Sequence, residues 1–144
     1  MKVRKGIMGA LLGVALMAGA LAAPASALAD EKAKMVIQVS DNDTGKWNLA
    51  LNNAANIQKD LGKDNVDLEI VAYGPGINML KADSEVGNRV AEAVESGVKV
   101  MACQNTMRKA KLSKDDMLST VGFVPSGVVE ILKKQEQHYT YLRP

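Results

Sequence analysis

The chain has one cysteine and one histidine in 144 residues, and its only aromatic side chains are Trp47, Tyr73, Phe123, Tyr139 and Tyr141. A lone cysteine excludes an internal disulfide, and one cysteine with one histidine cannot supply a Cys/His zinc set. With so few rings, the core must be built from Val, Ile, Leu, Met and Ala. Outside the N-terminus there is no long apolar run, no internal repeat, no low-complexity tract and no linker-like stretch, which argues for one folded unit.

At the N-terminus, Lys2, Arg4 and Lys5 precede a Gly/Ala/Leu/Met-rich stretch from Ile7 to about Ala23, and small residues end in Ala27-Leu28-Ala29. A basic start, an apolar middle and an A-x-A site describe a secretory signal peptide over residues 1–29, cleaved before Asp30. The alternative is an uncleaved membrane anchor, for which the run is barely long enough. No twin arginine precedes the run, and no cysteine stands at the cleavage point for lipid attachment. The expectation is a periplasmic protein, free of the membrane once cleaved, with one domain over 30–144. Cleavage removes three of the 18 basic residues and none of the 16 acidic ones, so the formal charge falls from +2 to −1. The basic balance thus belongs to the leader, and no electrostatic argument for nucleic acid survives. A single free thiol in an oxidising compartment needs a reason: burial, intermolecular pairing or chemistry.

The remainder alternates between strand and helix patterns. Lys34 to Ser40 reads as a strand, Asp41 to Gly45 as a turn, and Trp47 to Leu61 as a helix with Trp47, Ala50, Leu51, Ala54, Ile57 and Leu61 on one stripe, closed by Gly62. Val66 to Tyr73 is a second strand, ended by Gly74-Pro75-Gly76. Ser84 to Ser96 is helical and stops at Gly97, and Val98 to Ala102 is a third strand. Ser113-Lys114-Asp115-Asp116 starts a short helical turn, and Val121 to Val124 is a fourth strand. Ser126 caps a helix from Gly127 to about Gln137 with Val128, Val129, Ile131 and Leu132 expected to face inward, and Tyr139 to Leu142 is a fifth strand. Such alternation with short connections predicts an α/β domain with a mostly parallel five-stranded sheet covered on both faces.

In open parallel sheets ligands sit outside the carboxyl ends of the strands. Those ends carry Ser40, Asp41 and Asp43; Gly74, Pro75 and Gly76; Cys103, Gln104 and Asn105; Pro125 and Ser126. Cys103 falls where a strand gives way to a helix start, with Asn105 and Thr106 as expected N-cap types. A helix start and the nearby Arg108 and Lys109 would move the thiol from about 8.5 to near 7, making it usefully nucleophilic. The plainer reading is a small hydrophobe at a strand end, because free cysteines are among the most buried residues.

Other patterns fail. Asp41-x-Asp43-x-Gly45 starts like a calcium loop, but Gly45 stands where a ligand belongs and Asn52 replaces the closing Glu. Gly45-Lys46 has Ser40 at the first glycine position of a phosphate-binding loop, and Gly74-x-Gly76 lacks its third glycine. No metal, nucleotide or other cofactor is therefore expected, and Asp41 and Asp43 read first as turn and cap residues. Asn48, Asn52 and Asn56, with Asn53 beside them, form a polar stripe on the first helix that suggests either a solvated face or buried hydrogen bonding at a subunit contact. His138 ends the last helix and reads as structural or exposed.

Several segments together resemble the DsrE/DsrF-like family: Val100 to Thr106, Lys46 to Asn53, Tyr73 to Gly76, Pro125 to Glu130 and the tail Tyr139 to Pro144. The resemblance covers essentially the whole chain after the leader. It implies a three-layer α/β/α fold and homo-oligomers, trimers or hexamers. It also implies a sulfur-relay role in which Cys103, at the position of the family's sulfur-carrying cysteine, holds sulfane sulfur as a persulfide. A sulfur donor or acceptor protein would be the partner, and Asp41, Gly74, Pro75, Gly76, Gln104 and Asn105 would shape the pocket around Cys103. Sulfur-relay relatives work in the cytoplasm, whereas this chain carries an export signal, so their partners do not transfer. The alternative is an oligomeric module that binds a small ligand at the same rim, with an inert cysteine.

Overall fold

The computed structural model describes residues 31–144, so the leader lies outside the described residues. Five parallel strands form one sheet: β1 (Ala33–Val39), β2 (Val66–Ala72), β3 (Lys99–Cys103), β4 (Gly122–Val124) and β5 (Thr140–Leu142). Their order across the sheet is β4-β3-β2-β1-β5. The helices are α1 (Thr44–Leu61), α2 (Gly87–Glu95), α3 (Gln104–Lys109) and α4 (Gly127–Glu136), with 3-10 turns at Lys63–Asn65, Gly74–Leu80 and Lys114–Asp116. The predicted three-layer α/β fold is the one observed, with every pairing within the sheet parallel.

Order and handedness explain the layers. From β1 to β4 the chain steps across the sheet in one direction, and right-handed crossovers put every connection on the same face. There α1, α2 and the turn after β2 bury the larger core, with Ile37, Leu68, Ile70, Met79, Leu80, Val90 and Val100 at its centre. Reaching β5, on the far side of β1, needs a step back, so α4 crosses the opposite face. The core beneath it is small: Val36, Val71, Ile131 and Tyr139, flanked by Tyr73 and Met101.

Most element ends follow their local chemistry. Asp43 caps α1, its carboxylate accepting from the Lys46 N–H at 2.9 Å. Gly62 (φ 89°) and Gly97 (φ 98°) take the left-handed conformations that close α1 and follow α2. Ser113 and Asp116 form a reciprocal capping box at the turn before β4.

One expectation is overturned on α4. Val128 and Leu132 are 60% and 56% exposed, Val129 is also exposed, and only Ile131 of the four predicted apolar residues is buried. The inward stripe is instead Gly127, Glu130, Ile131 and Lys134, spaced three or four apart. The cause lies on β2: Glu69 is 2% exposed, and its Oε2 holds the Lys134 ammonium at 2.7 Å. A buried carboxylate draws that lysine inward and fixes the rotation of the helix.

Candidate functional site

In a doubly covered parallel sheet a crevice opens where adjacent strands send their outgoing chains to opposite faces. Here those strands are β3 and β4, since α3 turns toward the larger core and α4 toward the smaller. Cys103 is the last residue of β3 and pairs in register with Val124, the last residue of β4. The lone cysteine therefore stands at the topological switch point.

Cys103 as a whole is 4% exposed. The first N–H of α4, from Gly127, donates to Sγ at 3.2 Å. Cys103 is itself the N-cap of α3, two or three positions earlier than the Asn105 or Thr106 that the sequence suggested. Burial pushes the thiol up. The Thr106 hydroxyl, the Gly127 amide and the Thr106 and Asn105 amides outweigh it, and the thiol ends below its ordinary value. Arg108 and Lys109 are not among these leading contributors, and the Arg108 guanidinium is turned to the Asn105 side-chain oxygen. Of the helix-start and cation contributions expected together, only the dipole part is among these contacts.

The other candidate residues divide by strand. Gly74 brings its N–H to the Thr106 Oγ1 at 2.9 Å, linking the turn after β2 to the first turn of α3. Gly76 is buried against β1, where a Cβ would lie 2.3 Å from the Val39 carbonyl oxygen, so only glycine fits. Pro75 is exposed between them. Gln104 is half-buried in the first turn of α3, and the Asn105 N–H donates to the Pro125 carbonyl at 3.2 Å, tying α3 to the end of β4. Asp41 lies two strands away, after β1. Its carboxylate accepts from Lys46 Nζ at 2.9 Å and from Arg143 Nη2 at 3.2 Å, and these partners hold it below the usual carboxylate range. Its backbone oxygen accepts from Trp47 Nε1 at 2.8 Å.

Three residues against the sulfur or its supports were not singled out from sequence. Thr106 was read only as a cap. Gly127 lies 24 residues beyond Cys103 in the chain. Tyr73 packs against Gly127, whose added Cβ would meet the Tyr73 Cβ at 3.0 Å.

Several clefts lie away from the sulfur. One of about 410 Å³ runs along α4 between Gln38, Val128, Leu132 and Tyr141, and one of about 290 Å³ lies between α1 and α2. In the groove between those helices Arg89 donates to the side-chain oxygens of Asn48 and Asn52, the latter at 2.6 Å. The asparagine stripe thus serves a helix–helix contact within the chain, with Asn52 and Asn56 at the surface.

A protein of unknown function, MTH1491 from Methanobacterium thermoautotrophicum, is 35% identical to this chain, covering 78% of it and 100% of its own length at a TM-score of 0.75. BT1422 from Bacteroides thetaiotaomicron (14% identity, 77% of this chain and 94% of its own, TM-score 0.64) shares the fold. So does YchN from E. coli (16% identity, 78% and 99%, TM-score 0.63). No curated protein matches. The model of the DsrE/DsrF-like family matches residues 33–144, the whole sheet with its helices, and the chain belongs to that family.

Proposed function

We propose that this protein is an exported sulfur carrier in which Cys103 binds and passes on sulfane sulfur as a persulfide. The observation that carries the reading is the placement of the one cysteine at the β3–β4 switch point with the Gly127 N–H on its sulfur. Hydrogen-bond donors that favour a thiolate equally favour the anionic persulfide that would replace it. In the loading step the Cys103 thiolate attacks the outer sulfur of a persulfide, polysulfide or thiosulfate. A new Sγ–S bond forms, the donor's S–S bond breaks, and the leaving thiolate or sulfite takes the electron pair. An acceptor thiolate reverses the step and restores Cys103, so no external oxidant is consumed. Export to the periplasm rests on the basic start, apolar run and A-x-A site of residues 1–29. Assembly into a homo-oligomer is supported by the exposed Val128, Val129, Leu132 and Tyr141 around one cleft.

Intact mass after incubation with polysulfide or thiosulfate tests the reading. Mature protein should gain one sulfur atom that reductant removes, and Cys103→Ser should gain none. Folded wild type that takes up no sulfur would overturn it. A second reading draws on the burial of Cys103 and on the clefts elsewhere: a small-ligand-binding module in which the cysteine is packing. Under that reading native protein resists thiol reagents at neutral pH and reacts only when unfolded.

A further inference from the structure

We infer that the basic face formed by Arg108, Lys109, Lys111 and Lys114 docks the acidic surface of a partner protein that exchanges sulfur with Cys103. The inference deepens the carrier reading and rests on it for the partner's role. Residues 104–114 hold these four cations and no acid, in a chain that is nearly balanced at 18 basic and 16 acidic residues. All four are exposed, and among the described residues none lies within ion-pair distance of a carboxylate. Asp115 and Asp116 follow in the chain, and the Asp116 carboxylate is turned into the capping box with Ser113. Like charges gathered without counter-ions repel one another, and a partner of opposite sign relieves the repulsion.

Geometry puts this face beside the thiol. Cys103 is the N-cap of α3, and the Arg108 guanidinium bonds the side-chain oxygen of Asn105 in the first turn. The Lys114 ammonium lies 4.9 Å from the centroid of the Phe123 ring, and Phe123 pairs with Ala102, one residue before the thiol. Arg108 and Lys114 thus stand near the ends of β3 and β4, with Lys109 and Lys111 between them in the chain. The helix has six residues, a length of roughly 9 Å, so its last-turn cations act on Cys103 across about one Debye length.

Lys111 adds a second observation. Its φ is 56°, the left-handed conformation just past α3 where glycine is the usual residue. A lysine there carries a steric cost that glycine would not, and such strain gathers at functional positions.

The chemistry of the face selects among partners. A lipid surface is gripped by cations with exposed apolar side chains among them, but the large ones exposed here, Leu49, Leu61, Val128, Val129, Leu132 and Tyr141, lie on other elements. A small anion needs a concave site, and these cations line neither the cleft along α4 nor the one between α1 and α2. Single-stranded nucleic acid stacks on open aromatic faces, and Phe123 lies under the Lys114 ammonium. An acidic protein surface needs neither cavity nor ring, and complementary charge steers its encounter.

The test is thiol–disulfide exchange between the mature protein and two peptides, one rich in glutamate and one rich in lysine. Each carries one cysteine activated as its 2-thiopyridyl disulfide. The Cys103 thiolate attacks the peptide sulfur and a new Sγ–S bond forms. The bond to the pyridyl sulfur breaks, and pyridine-2-thione leaves with the electron pair and takes up a proton. Each rate is divided by that of alkylation with uncharged iodoacetamide, which reads the thiol alone. At low ionic strength the acidic peptide should react about tenfold faster than the basic one, and added salt should bring the ratio toward one. In Lys109→Glu/Lys111→Glu the preference should vanish or invert. If that variant does not fold, Lys109→Gln/Lys111→Gly, which suits the left-handed position, should lose most of the preference. Equal rates for the two peptides in wild type, exchange with neither, or a preference unchanged in a folded variant would overturn the inference. So would flotation of wild type, but not of the variant, with phosphatidylglycerol vesicles, which would assign the face to lipid. Sulfur uptake, measured by intact mass, separates the two readings. A chain that takes up sulfur without preferring the acidic peptide fails this inference alone, and one that prefers that peptide yet takes up none fails the carrier reading.

Discussion

Helices usually begin with Ser, Thr, Asp or Asn, because a side-chain oxygen at the N-cap meets the free amides of the first turn. Cys103 holds that position on α3 and also receives the first amide of α4. A neutral thiol is a weak acceptor, so the site suits the thiolate. This leads to an unusual expectation for Cys103→Ser: the variant loses all thiol chemistry yet folds with stability within about 1 kcal/mol of wild type, because serine is the better cap. Urea denaturation checks the stability and alkylation the chemistry. Gly127→Ala should behave oppositely. Its new Cβ would lie 3.0 Å from the Tyr73 Cβ and 3.2 Å from Val71 Cγ1, neither the end of a flexible side chain. The start of α4 should therefore give by a few tenths of an ångström, costing about 1–3 kcal/mol and raising the alkylation midpoint of Cys103 as the amide leaves the sulfur. A variant with wild-type stability and midpoint would show that the contact relaxes without moving the helix. At this scale the cysteine was legible in sequence, since a strand ending in Cys before a polar cluster locates it at a strand–helix junction. Gly74 was placed at the same rim by the strand-end rule, but the Gly127 amide on the sulfur was not, because register alone brings it there from 24 residues away.

At the scale of the element, α4 shows how a buried charge overrides an apolar pattern. Val128, Val129, Ile131 and Leu132 read as a core stripe, yet only Ile131 is buried. Nothing local revealed that Glu69, flanked by Leu68 and Ile70, would be sealed under the helix. Its Oε1 lacks a hydrogen-bond partner, and burial, only partly countered by Lys134, holds the carboxyl above its ordinary range. A carboxyl whose folded pKa lies above its unfolded one favours the native state most when both forms are protonated. That contribution is lost as pH rises from about 4.3 through the folded value. Glu69→Gln should therefore flatten the fall of stability with pH across that window, as read from thermal melts at a series of pH values. Lys134→Met leaves the carboxylate without its cation and should cost about 3–5 kcal/mol at pH 7–8, and less in acid, where Glu69 takes up a proton. An equal loss at every pH would mean that the lysine matters for packing, through Tyr139, whose ring centroid lies 4.8 Å from its ammonium, and not for charge.

The architecture of the whole molecule was legible because alternation of the two periods leaves few topologies, and the handedness of crossovers removes most of those. What alternation does not carry is which strand lies at which edge, and so which face of the sheet is thinly covered. One step back across the sheet leaves a single ten-residue helix on that face, flanked by the three-residue edge strand β5. Val128, Leu132 and Tyr141 then surround a cleft that no other element of the described chain fills. Exposed apolar side chains gathered on one face are unusual for a monomer and mark an association surface. Under the oligomer proposal this is the face on which copies meet, and it adjoins Cys103 because α4 begins at the sulfur. Leu132→Glu should therefore lower the mass measured by light scattering at micromolar concentration, from that of an oligomer toward that of the monomer. Far-ultraviolet circular dichroism should remain that of wild type, because Leu132 is 56% exposed and contributes little to the fold of one copy. Wild type that is monomeric under these conditions would count against assembly itself, whereas an oligomer indifferent to Leu132→Glu would move the contact to another face.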